Sequence, residues 1–153
     1  MKPAVQRVMD ALSAQGITTQ PTEFAASTRT AADAAAAIGT TVAQIVKSLL
    51  FLAGDQPILV LVSGANMVDT ALLGVTLGAT ISRASAEQVR AATGFAIGGV
   101  APVGHTTVMP TYIDRDLLAF DTIWAAAGTP NTVFPLSPDT LCRITSGTVI
   151  AVK

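Results

Sequence analysis

The sequence has few of the groups that staple or ligate a protein: one cysteine, Cys142, and one histidine, His105. A lone cysteine excludes an internal disulfide. The pair also falls short of the four nitrogen or sulfur ligands of a structural zinc site, so no metal is expected. Charge is scarce, at 12% of residues, and balanced, with nine Lys and Arg against ten Asp and Glu and a net charge of −1. Duplex binding needs clustered cations that release counterions, whereas the basic residues here are scattered from Lys2 to Lys153. DNA is therefore not an expected partner, although a brief contact with the tip of a nucleic acid is compatible with this charge. Long hydrophobic runs are missing too. Residues 48–53 and 58–62 are separated by Gly54-Asp55-Gln56-Pro57, and neither approaches the roughly 20 residues of a spanning helix. Met1-Lys2-Pro3 leads into an amphipathic segment without a signal peptide's apolar core. No membrane association and a cytoplasmic setting are the expectation.

What the sequence does have is hydrophobic material, half of its 153 residues. That length suits a single domain over residues 1–153 that buries about two thirds of its unfolded surface. Val5, Val8, Met9 and Leu12 recur at helical spacing before Gly16. Thr30-Ala-Ala-Asp33 reads as a capping box for an alanine-rich helix ending at Gly39, and Thr41-Val-Ala-Gln44 as a second box opening one short turn. Residues 45–53 and 58–63 are β-branched and leucine-rich around Gly54-Asp55, the pattern of an antiparallel hairpin. Asp69 caps a helix through Leu77, a short strand covers 79–82, and Ser85-Ala-Glu-Gln88 starts a helix that Gly94 stops. Strands follow at 111–114, 122–126 and 132–134. Ser137-Pro138 then opens a helix, and a strand over 147–152 closes the chain. The fold class is α+β: a curled, barrel-like, mixed and mostly antiparallel β-sheet flanked by about four helices.

Few residues stand out chemically. Lys47 is the only lysine away from the ends of the chain, and in an extended segment it shares a face with Ile45, Leu49 and Phe51. Such an amine either snorkels to water from a strand end or has a lowered pKa and a task, as a phosphate anchor or a near-neutral amine. Ile97-Gly98-Gly99-Val100-Ala101-Pro102-Val103-Gly104-His105 is the most glycine-dense stretch. Its amides could approach a phosphate or a developing oxyanion, or it could be a plain turn stiffened by proline. It fits neither a P-loop nor a dinucleotide fingerprint. His105 divides evenly between loop packing and a site role, and no Gly-x-Ser-x-Gly elbow is present. Cys142, between Leu141 and the neighbourhood of Ile144, reads as core rather than nucleophile. Asp69 reads as an N-cap, and Asp114-Arg115-Asp116 as a solvated turn.

The ordered set Gln44-Ile-Val-Lys47-Ser-Leu-Leu-Phe51, Thr93-Gly-Phe-Ala-Ile-Gly-Gly-Val-Ala-Pro102-Val-Gly104, Tyr112-Ile-Asp114 and Pro138-x-x-Leu141 resembles the YbaK-like family. Its members are stand-alone relatives of the editing domain inserted in bacterial prolyl-tRNA synthetase. The resemblance runs from about Thr30 to Leu141. It implies hydrolysis of the ester that joins a wrong amino acid to the 3′-terminal adenosine of a tRNA, in a cleft beside a curled mixed sheet, with no cofactor. It implies that Lys47, with Gly98, Gly99 and Pro102 of the glycine–proline motif, carries catalysis. Ala101, Val103, Gly104 and His105 are the expected substrate-binding residues, with His105 bounding the pocket. The implied partner is the acceptor end of a mischarged tRNA, with prolyl-tRNA synthetase as a further candidate. Ala126-Ala-Gly128-Thr-Pro-Asn131 departs from the glycine- and arginine-rich segment of the cysteinyl-tRNA deacylase branch and is more like members that remove alanine or another small residue. The competing reading is a non-catalytic module of the same fold that docks on a tRNA or a synthetase, and a third is a hydrolase of free esters.

Overall fold

The computed structural model describes residues 1–25 and 30–153. Helix α1 (Pro3–Ala14) buries Val5, Val8 and Leu12, the stripe its spacing requires. The chain then runs through β1 (Thr22–Glu23), α2 (Ala31–Ile38), a 3₁₀ turn (Val42–Gln44), β2 (Ile45–Ala53) and β3 (Gln56–Ser63). It continues with α3 (Thr70–Leu77), β4 (Ile81–Arg83), α4 (Ala86–Thr93) and β5 (Thr111–Asp114). After a second 3₁₀ turn (Arg115–Ala119) come β6 (Ile123–Ala126), β7 (Thr132–Leu136), α5 (Pro138–Thr145) and β8 (Thr148–Ile150). The strands form one sheet in the order β1-β7-β6-β2-β3-β5-β8, with β4 as an extra neighbour of β2. The pairs β1–β7, β2–β3, β2–β4 and β6–β7 are antiparallel, while β2–β6, β3–β5 and β5–β8 are parallel. The sheet is mixed and mostly antiparallel, as the sequence implies.

The caps act where their residues stand. Thr30 Oγ1 accepts from Asp33 N at 3.0 Å while Asp33 Oδ2 accepts from Thr30 N at 3.3 Å. Ser85 and Gln88 reciprocate in the same way, and Asp69 Oδ1 accepts from Leu72 N at 3.0 Å. The unbroken apolar run of β3 reflects burial on both faces. Leu59 and Leu61 join the main core with Val8 and Leu12 of α1, Val89 of α4 and Leu141 of α5. Ile58, Val60 and Val62 join Phe51 and Leu73 of α3 on the opposite face. A third cluster, Ala34, Ala35 and Ile45, seats α2 on the start of β2, with Trp124 against it.

Three local expectations change. The two-residue strand β1 pairs with Thr132 and Val133, too short a run to carry an alternation. The β4 strand lies at Ile81–Arg83, later than the 79–82 expected, because its register is set by β2. The Asp114-Arg115-Asp116 segment is solvated only in part: Arg115 and Asp116 are exposed in a 3₁₀ turn, whereas Asp114, at the end of β5, is 1% exposed.

Candidate active site

Strand β2 is paired with β3 along its whole length, Val46 opposite Ser63 through Ala53 opposite Gln56. Its other edge is only partly covered. β6 pairs with Ile45 and Val46, β4 with Phe51 to Ala53, and Leu50 O accepts from Ala84 N. Residues 47–49 thus face a gap in the sheet, and a cleft of about 340 Å³ opens there. That is within the size range of small-ligand pockets, which begin near about 300 Å³. Its walls are Lys47, Ser48 and Leu49 of β2, Ala31 and Ala34 of α2, Trp124 and Ala126 of β6, Val133 of β7, and the turns carrying Ile97, Gly98, Val100 and Pro130.

Lys47 sits half-buried on this wall, neither sunk in the core nor free in solvent. Its Nζ donates to the main-chain oxygen of Asn66 at 2.6 Å. Behind that carbonyl lies a network assembled from β3, β5 and the turns that follow them. Asn66 Nδ2 donates to Asp114 Oδ2 and to Asp116 Oδ2, each at 2.8 Å. Asp114 also accepts from Ser63 N at 3.0 Å and from Asp116 N at 2.9 Å. Ser63, Asn66 and Asp114 are all buried, so each polar atom that lost water has gained a partner. Burial pushes the Lys47 amine below its ordinary value; the carboxylate of Asp114 opposes that shift and the Arg83 guanidinium adds to it. An ammonium has three donors, and the Asn66 carbonyl takes one of them.

The facing loop is a β-turn from Ala96 to Gly99, closed by Gly99 N donating to Ala96 O at 3.0 Å. Gly98 occupies its third position at φ +88°, which type II turns reserve for glycine. The Gly99 amide is therefore engaged inside the turn. The Gly98 and Val100 amides have no protein partner among the described residues, and both residues line the cleft. Gly99 is glycine for reasons of contact. A Cβ there would stand 2.9 Å from Thr129 Cα and 3.0 Å from its carbonyl carbon, both main chain. Gly99→Ala must push the two turns apart. We expect a folded protein in which any reaction the cleft carries out slows about tenfold or more; unchanged kcat/KM would mean that the turn does not set the cleft.

Of the residues singled out from sequence, Lys47 and Gly98 both line the cleft, and Gly99 presses on its neighbouring turn. Pro102, Ala101 and Val103 are buried as the chain turns into the core, and none of them lines the cleft. Gly104 packs toward Phe95 and Ala11. His105 sets its Nε2 2.6 Å from Ala101 O and stands edge-on to Phe95, with ring centroids 6.2 Å apart. Burial pushes its imidazole below the ordinary value, opposed by the Ala101 carbonyl and reinforced by Arg7. Arg7 caps the arrangement, stacked 4.1 Å over the Phe95 ring. His105 therefore fastens the loop and does not bound the cleft. Sequence reasoning gave no site role to Ser48, Asn66, Asp114 or Trp124. The one available signal was an acid ending the apolar strand Tyr112-Ile113-Asp114.

Residues 25–144 match the family model of the aminoacyl-tRNA editing domain. The chain belongs to the aminoacyl-tRNA editing domain family. This editing domain is 36% identical over 121 residues to the uncharacterized protein YwhH of Bacillus subtilis, covering 78% of this chain and 77% of that protein. It is similar along its whole length to a solved structure described as a candidate trans-editing enzyme for prolyl tRNA synthetase. That likeness has a TM-score of 0.96 and 44% identity, and covers 98% of the other chain. It also matches a segment of the proline–tRNA ligase of Nitratidesulfovibrio vulgaris, at 35% identity over 86 residues, 56% of this chain but only 15% of the ligase.

Proposed function

We propose that the cleft of this editing domain hydrolyses the ester of a mischarged tRNA in trans, with tRNA-Pro carrying alanine or another small amino acid as its substrate. The observation that supports the reading is one cleft lined by Lys47 together with Gly98 and Val100, whose amides have no protein partner among the described residues. An aminoacyl ester is already activated, so no protein nucleophile is required. The ammonium of Lys47 holds the terminal phosphate or ribose region with its remaining donors. The Gly98 and Val100 amides receive the ester carbonyl oxygen as water adds to the carbonyl carbon and that oxygen gains charge. The substrate's own 2′-hydroxyl assists the water. When the tetrahedral species collapses, the bond to the ribose 3′-oxygen breaks, that oxygen takes up a proton, and the free amino acid and tRNA leave. Ala31, Ala34 and Ala126 make small, unreactive walls, suited to a small aminoacyl side chain. A synthetase needs such a second site because a pocket separates one methylene by only about 1–3 kcal/mol.

The test is a panel of mischarged tRNAs alongside free amino-acid esters. Release from alanyl-tRNA-Pro, with free esters untouched, is the expected result. Release from free esters at equal efficiency would make the protein a small-molecule hydrolase, and no release from any substrate would leave a docking module.

A further inference from the structure

Arg83 is not used by this chemistry, yet it stands on the far bank of the same gap. The β2–β4 register puts Arg83 directly opposite Phe51. Cross-strand partners share a sheet face, and alternation puts Phe51, Leu49 and Lys47 on that face as well. Arg83 is exposed and has neither a hydrogen bond nor an ion pair among the described residues. It lines a recess of about 70 Å³ that shares Ser48, Leu49, Ile97 and Val100 with the main cleft. Lys47 and Arg83 thus lie on one sheet face, on opposite banks of the gap. Two cations on one face, on either side of a gap, offer a seat to an anion, and a guanidinium matches phosphate oxygens in a fork.

We infer that Arg83 binds a phosphodiester in the single-stranded 3′ end of the RNA. This assignment rests on the reading of the cleft as an acceptor-end site, and it explains how a chain of net charge −1 could hold a polyanion by its tip alone. The chain's single tryptophan, Trp124, lines the cleft and supplies a fluorescence readout that needs no turnover. Binding of the trinucleotide CpCpA and of adenosine, which carries no phosphodiester, would be titrated across a salt series for the wild type, Arg83→Gln and Arg83→Lys. Arg83→Gln should weaken CpCpA binding about tenfold, leave adenosine binding unchanged, and reduce the salt slope by about 0.7, the share of one phosphate contact on a single strand. Arg83→Lys should restore the salt slope. For catalysis, Arg83→Gln should raise KM for aminoacyl-tRNA while leaving kcat/KM on aminoacyl-adenosine unchanged. Equal affinity of the wild type and Arg83→Gln for CpCpA overturns the inference even if deacylation persists. Weaker CpCpA binding in Arg83→Gln than in the wild type, with no hydrolysis by the wild type, would keep the phosphate site and remove the hydrolytic reading instead.

Discussion

Lys47→Ala is expected to lower kcat/KM for deacylation by about 10²–10³, the typical cost of removing one preorganised donor from a charge-stabilising site. The fold should persist. The side chain is half-buried rather than core, and its one hydrogen bond is to the main-chain oxygen of Asn66. Circular dichroism and a melting temperature within a few degrees of the wild type would establish that the loss is chemical. Lys47→Met sharpens the experiment because it keeps the aliphatic stem and removes only the charge. Activity near the wild-type level in both variants would exclude Lys47 from the reaction.

Asp114 should give the second large effect, divided between stability and pH. Asp114→Ala strips acceptors from the buried Ser63 N and from Asp116 N while Asn66 keeps only Asp116. A cost of about 3 kcal/mol is expected, because unpaired buried donors lose their full solvation, and chemical denaturation would measure it. Asp114→Asn is milder, since an amide oxygen can still accept from Ser63, and it isolates the charge. The Asp114 carboxylate holds the Lys47 pKa up against burial and against Arg83. Removing that negative charge lets the amine fall further below the ordinary lysine value. In the proposed reaction the ammonium is the acting form, so its proton is then lost at lower pH and the alkaline limb of kcat/KM moves down. An alkaline limb in the same place for Asp114→Asn and the wild type would show that the network supports the fold without tuning the lysine.

Much of the fold was legible because its signals are local. Thr30, Asp69, Ser85 and Ser137 cap helices within three residues of themselves, and the two-faced hairpin of β2 and β3 announces itself by its apolar run. Lys47 was legible for the same reason, as a charge in a greasy strand. Asp114 was misread because three consecutive ionisable residues look solvated. Its burial depends on Ser63 and Asn66, 51 and 48 residues away. Residues 101–105 follow the glycine turn in sequence and so looked like its continuation into the site. The chain instead dives into the core at Ala101, and His105 turns back to hold that same carbonyl. The break in β2 was invisible because it is defined by where β4 and β6 stop, a property of topology and not of any residue in β2.

That break also bears on solubility. A strand edge with free amide and carbonyl groups ordinarily invites pairing with another molecule and hence aggregation. Here the uncovered stretch is three residues, roughly 10 Å, and β6 and β4 already occupy both flanks. A foreign strand of ordinary length, about five or six residues, collides with one neighbour or the other before it can register. The protein thus offers bare main chain to a compact guest while refusing it to an extended one.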